Sequence, residues 1–224
     1  MPMARPVADP ADDESPPFPG RLAGPLPGPL PGPGAGALQV HHRGDPGRAE
    51  VEQFIHDVYA RRFGADVRQF APVLVSRREA ADGPLVVAAG SRFAGSGPLF
   101  LERYLHAPVQ TLLGAATPPR EGIVEVGHLA AARAGEGRRL ILLLGPHLAE
   151  RGAQWVVSTL TEELRHLFVR IGVTPLALGA ADPARLGTEA ADWGDYYAHH
   201  PVVLAGHLPL ALRTLARRLR GAAA

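Results

Sequence analysis

Glu125 stands inside the apolar run Ile123-Val124-Glu125-Val126. On a strand, alternation displays that carboxylate on the face opposite the two valines. Burying a carboxylate costs roughly several kcal/mol unless it is paired or protonated. Such a group can take the proton of an attacking amine, with its pKa raised by burial. It can equally be half of a structural ion pair with an arginine, and the residue types alone leave both readings open. His128 is a second, weaker candidate base or hydrogen-bond partner. A backbone N–H among Val126, Gly127 and His128 can polarise a carbonyl.

A second candidate is Arg133-Ala134-Gly135-Glu136-Gly137-Arg138, between a strand pattern and a helix pattern. Glycines let a backbone approach a phosphate, and a helix N-terminus favours negative charge. Arg133, Gly135, Gly137 and Arg138 are therefore candidate phosphate or pyrophosphate contacts; the alternative is an ordinary flexible loop. Trp193, Asp195, Tyr196 and Tyr197 concentrate aromatic groups in a chain that is 6% aromatic. They give a pocket apolar walls with polar tips, or they form a structural cap on the sheet. His41-His42 and His199-His200 are adjacent pairs, which on a strand point to opposite faces. They are expected to be surface or hydrogen-bonded histidines, and no metal site is predicted.

The elements that must position these groups follow from local patterns. A helix is predicted from Asp45-Pro46, with Val51, Phe54, Ile55, Val58 and Tyr59 at helical spacing and Gly64 as its stop. Ala71 to Ser76 and Leu85 to Ala89 form a predicted hairpin around Asp82-Gly83. A short helix near Val109 to Leu113, a strand from Ile123 to Leu129 and a helix after Arg138 come next. Gly145-Pro146 should kink or restart that helix. After a strand at Trp155 to Ser158, Thr159 and Glu162 have capping-box spacing. Leu160, Leu164, Leu167, Phe168 and Ile171 then make one apolar stripe that Gly172 ends. Strands near Thr174 to Leu178 and Val202 to Ala205 precede a basic helix from Pro209 to Arg220. The expected class is α/β, a mixed central sheet with helices on both faces.

Composition sets further bounds. With 224 residues, the chain suits one domain plus an appendage. Residues 1–38 are a separate region, proline- and glycine-alternating from Gly20 to Gly34, and are expected to be disordered; residues 39–224 are expected to form the domain. The 23 basic and 22 acidic residues nearly balance, which argues against a general nucleic-acid binder. There is no cysteine, so thiolate catalysis and disulfides are excluded, and every basic residue is arginine, which excludes a lysine Schiff base. The acidic N-terminus, without an apolar core, does not resemble a secretory signal, and no run is long enough to span a membrane, so a cytoplasmic protein is expected.

Three segments carry a family resemblance: Gly97-Pro98-Leu99-Phe100-Leu101-Glu102-Arg103-Tyr104-Leu105, Ile123-Val124-Glu125-Val126-Gly127-His128-Leu129-Ala130, and Trp193-Gly194-Asp195-Tyr196-Tyr197-Ala198-His199-His200-Pro201. Together they resemble the thermostable hemolysins over roughly residues 47 to 210, a length typical of one domain. That family usually has asparagine where this chain has His128. The element order, with the loop before the helix and Phe168-Val169-Arg170-Ile171-Gly172-Val173, is similar to the GNAT acyltransferase fold. In that fold the loop holds the pyrophosphate of coenzyme A. The family's basic or glutamine position before the loop is Ala132 here, and Arg133 follows it.

A further resemblance, to acyl-homoserine-lactone synthases, implies acyl transfer onto an amine. It implies acyl-CoA or the phosphopantetheine of an acyl carrier protein as donor, a small-molecule amine as acceptor, and Glu125 as base or orienter. Val126 and Gly127 would join the donor site, and Phe100 would join Trp193, Tyr196 and Tyr197 as the substrate wall. The family name implies instead a membrane-active cytolysin. Its candidate element is the last helix, where Leu208, Leu212, Leu215 and Leu219 oppose Arg213, Arg217, Arg218 and Arg220. Docking of that helix on its own domain or in a homodimer is the preferred alternative. A third expectation, supported by the displaced arginine, is a GNAT-like binding protein without catalysis.

Overall fold

The computed structural model describes residues 36–114 and 117–221. The proline- and glycine-rich segment expected to be disordered lies outside the described residues, except for residues 36–38. Helix α1 (Arg48–Phe63) buries Val51, Ile55, Val58 and Tyr59 of the expected stripe, while Phe54 is half-buried and Phe63 joins the buried set. Gly64 ends it at φ 62°, with its N–H bonded to the Ala60 carbonyl. The start differs from expectation. Asp45 Oδ2 accepts the His42 N–H at 2.7 Å and closes a preceding turn, so the helix begins behind Gly47.

Strand β1 (Gln39–His41) pairs antiparallel with β2 (Val73–Arg78), which pairs antiparallel with β3 (Leu85–Phe93). Strand β4 (Ile123–Ala131) lies antiparallel to β3 and leads through a loop to α2 (Glu136–Glu150). Then follow β5 (Trp155–Leu160), α3 (Glu162–Ile171), β6 (Leu176–Ala180), β7 (Val202–His207) and α4 (Leu208–Gly221). The seven-stranded sheet has the order β1-β2-β3-β4-β5-β7-β6, and β4·β5 is its parallel pair. The α/β class with a mixed central sheet is therefore as expected.

Both faces are covered. On one, Ile55, Val58 and Phe63 of α1 pack with Leu74, Ala88, Ala130 and Tyr196. On the other, Leu140, Leu144 and Leu148 of α2 pack with Val75, Val87, Val124 and Leu208.

Three local expectations are corrected. Thr159 lies within β5, because pairing with β7 (Thr159↔Val203, Leu160↔Val202) extends that strand. The α3 cap is Thr161, whose side chain makes no capping bond. Helix α2 runs on past Pro146, which lies on the exposed side, where a freed carbonyl can bond water, while Leu144 and Leu148 anchor the helix around it. In α4, Leu208 and Leu212 pack into the α2 layer, and Gly145 admits them: a Cβ there would lie 3.1 Å from Leu212. The start of α4 thus docks on its own domain through Leu208 and Leu212, with Arg213, Arg217 and Arg220 outward and Leu210 52% exposed. Among the described residues, no helix is long and apolar enough to cross a membrane.

Candidate active site

The site begins where the sheet fails to continue. Strands β4 and β5 pair at Ile123↔Trp155, Val124↔Val156 and Glu125↔Val157, and no further. Beyond Glu125, β4 stays with β3 to Ala131 and β5 stays with β7 to Leu160. The two strands part, and the β5-facing edge of Val126 to Leu129 loses its ladder partner. A bulge adds to this: Gly90 faces Gly127 while Ala88 faces Ala130, so β4 carries one extra residue and His128 adopts φ 53°. A cleft of ≈ 1990 Å³ fills the opening. Its walls include Glu125 to Leu129, the Arg133 to Arg138 loop, Ser158 and Thr159 of β5, and Leu164, Leu167 and Phe168 of α3.

Glu125 faces away from Val124, as alternation requires. Its partners are not an arginine side chain, the alternative the sequence raised, but two backbone amides. Oε2 accepts the Phe100 N–H at 2.8 Å, and Oε1 accepts the Leu101 N–H at 2.9 Å. Burial raises its pKa above the ordinary carboxylate value, and the two amides and the Arg92 charge offset only part of that. The turn Phe100–Tyr104 that supplies the amides is itself clasped by Glu102 and Arg120, joined at 2.7 Å.

His128 sits at the bulge against Phe70, with ring centroids 5.7 Å apart. Burial pushes its pKa down to about 4, assisted by the Arg92 charge and partly opposed by a hydrogen bond to the Gln69 backbone. It is therefore a neutral ring near pH 7, and its Nδ1 is buried without a partner among the described residues. Gly90 makes this possible. A Cβ there would lie 2.8 Å from the Ala71 Cβ and 3.0 Å from His128 Nδ1.

The loop of the second candidate opens into the same cleft. Gly135 caps α2 at φ 88°, and neither it nor Gly137 is crowded. At a helix start, the N–H groups of Gly137 and Arg138 have no earlier turn to bond. Arg138 lines the cleft, and its Nε is buried with no hydrogen-bond partner among the described residues. Arg133 is placed differently from expectation: its guanidinium makes a bidentate contact with Glu79 of the β2–β3 hairpin, at 2.6 and 3.0 Å. That pair is exposed and correspondingly weak. Glu136, which puts a negative charge at the helix head, is paired with Arg77 and Arg139.

The aromatic candidates divide. Phe100, Trp193 and Tyr196 line the cleft, with Phe100 and Trp193 centroids 5.6 Å apart. Tyr196 is also core: it is 7% exposed and its hydroxyl donates to the Thr159 carbonyl. Tyr197 does not line the cleft, because it packs against Tyr104 with their hydroxyls 2.7 Å apart. The histidine pairs are dispersed: His41 bonds Ser76 Oγ, and His199 packs on Phe63.

Sequence reasoning missed Arg92 and the wall made by α3. Arg92 could have been found from its place on a strand leading to the Gly97 to Leu105 segment. Leu164, Leu167 and Phe168 carry a helical stripe indistinguishable from a core-facing one, yet they remain half-buried on the cleft.

No curated protein matches the sequence. Solved structures do match in fold. TofI in an apo form has 20% identity, with 79% of this chain and 96% of that chain covered and a TM-score of 0.54. The AHL synthase LasI has 17% identity, coverage of 80% and 95%, and a TM-score of 0.53. FeeM, an N-acyl amino acid synthase from uncultured soil microbes, has 13% identity, coverage of 79% and 93%, and a TM-score of 0.52. At these identities the likeness is one of fold, and the fold is GNAT-like. The model of the family described as Thermostable hemolysin matches residues 41–212, and the chain belongs to the thermostable hemolysin family.

Proposed function

We propose that the chain is an N-acyltransferase that moves an acyl group from a thioester carrier to an amine. The observation that carries this reading is the parting of β4 from β5 directly after Glu125, which opens a cleft between a buried carboxylate and a helix N-terminus. The amine attacks the thioester carbonyl, a C–N bond forms, the C–S bond breaks and the thiol leaves. Glu125 takes the amine proton, a task suited to a carboxylate whose pKa lies above its ordinary value. The unpaired edge at Val126 to His128 supplies N–H donors for the carbonyl oxygen. The N–H groups at the head of α2, with Arg138, hold the donor's phosphate, whether on acyl-CoA or on the phosphopantetheine of an acyl carrier protein. Leu164, Leu167 and Phe168 give the acyl chain an apolar wall. Fold neighbours named as an AHL synthase and an N-acyl amino acid synthase support the reaction class. The cytolysin reading has less support, because Leu208 and Leu212 of α4 are packed against α2.

Calorimetry with coenzyme A, acyl-CoA and an acylated carrier protein tests the donor site. Binding to at least one, weakened about tenfold by Arg138→Gln through loss of a charged contact, is expected. Absence of binding to all three removes the assignment.

A further inference from the structure

Arg92 and Glu125 are direct partners in the β3·β4 register. Opposed residues on antiparallel strands share a face, with Cβ atoms roughly 4.5–5.5 Å apart. Opposite charges so placed ordinarily close an ion pair, and these two do not. Among the described residues neither has a salt-bridge partner. The Glu125 carboxylate is drawn to the Phe100 and Leu101 amides, and Arg92 donates from one nitrogen to the Pro98 carbonyl at 3.0 Å. A single segment, Pro98 to Leu101, therefore holds both charges apart. Arg92 keeps most of its five N–H groups for a ligand, and both side chains line the cleft. The other charged groups of this corner are committed: Glu102 to Arg120, and Arg103 to Glu189.

A carboxylate and a guanidinium, adjacent but not neutralising one another, match a molecule that carries an ammonium and a carboxylate on one carbon. We infer that the acceptor is an α-amino acid bound as its zwitterion, with its ammonium at Glu125 and its carboxylate at Arg92. Phe100 and Trp193 form the neighbouring wall, so an apolar side chain is favoured. The inference rests on the N-acyltransferase reading and names its acceptor. The ammonium gives one proton to Glu125. The freed amine forms the C–N bond as the C–S bond breaks, and a second proton leaves with the thiol.

Calorimetry with L-phenylalanine, phenethylamine and 3-phenylpropionate tests the site without turnover. The full chain should bind phenylalanine at least about tenfold more tightly than either analogue, the size of one charge-assisted contact. Arg92→Gln should lower phenylalanine affinity to that of phenethylamine and leave phenethylamine unchanged, and Arg92→Lys should restore part of the loss. Equal binding of the three probes, no effect of Arg92→Gln on phenylalanine, or no phenylalanine binding up to about 10 mM overturns the inference. An acyl-transfer assay separates the two claims. Zwitterion binding without any transfer from thioesters sinks the transferase reading and leaves the site. Transfer to phenethylamine as efficient as to phenylalanine keeps the transferase and sinks the acceptor assignment.

Discussion

Replacing Glu102 by glutamine should loosen the turn that holds Glu125. The Glu102 carboxylate accepts the Leu99 N–H at 2.9 Å, the Val109 N–H at 3.0 Å, and Arg120 at 2.7 and 3.0 Å. Arg120 also donates to the Ala94 and Gly97 carbonyls and to Gln110. The clasp thus joins residues 94–97, the Phe100–Tyr104 turn and the start of β4. Burial works to raise the Glu102 pKa, but hydrogen bonds from Arg120, Leu99 and Val109 outweigh it and hold the pKa at about 2, against 4.5 for the free group. With only 15% of the Glu102 side chain exposed, that difference corresponds to about 3 kcal/mol of stability. The folded pKa is depressed, so this stability is present above pH 4.5 and is lost as pH falls towards 2. Urea unfolding of wild type and Glu102→Gln should differ by about 3 kcal/mol at pH 7, equivalent to a melting temperature lower by roughly 10 °C. The difference should shrink steadily below pH 4.5. A difference under about 1 kcal/mol at pH 7, or one independent of pH, would refute the reasoning.

Other outcomes follow from the same geometry. Glu125→Gln should abolish acyl transfer while leaving unfolding within about 1 kcal/mol of wild type, and the wild-type acid limb of kcat/KM should lie above pH 4.5; lost stability with retained activity would mark the carboxylate as structural. His128 has a folded pKa of about 4 against 6.5, so its contribution is whole above pH 6.5 and falls by about 3 kcal/mol as pH drops to 4. His128→Asn, which tolerates the positive φ, should flatten that slope in denaturation curves, and an unchanged slope would contradict the assignment. Gly194→Ala would set a Cβ 2.0 Å from the Phe63 carbonyl oxygen at φ 51°, and should cost about 3 kcal/mol or more in thermal unfolding. A cost near zero would mean that the Trp193 cap is not fixed to α1.

Much of the fold was legible because its signals are local. The α1 stripe, the hairpin at Asp82-Gly83 and the stop at Gly172 each depend on residues a few positions apart. What escaped depends on pairing at a distance. Strand β1 is three residues long and shows no period of its own. Thr159 has a cap-like spacing that the β7 ladder overrides. Glu125 could be placed on its strand and face, but its partners are amides 24 and 25 positions earlier, which no spacing rule names. The loop before α2 was legible as the start of a helix, whereas Arg133 was not legible as a partner of Glu79 on a separate hairpin. Tyr197 looked the same as Trp193 in sequence, and only packing separates the half-buried tyrosine bonded to Tyr104 from the cleft-lining tryptophan.

The most direct test of the central claim is mass spectrometry of the products formed when purified protein meets an acyl thioester and a mixture of amines. The account predicts a new amide, with free thiol released in equal amount. An intact thioester, or thioester hydrolysed to free acid with no amide, would contradict it.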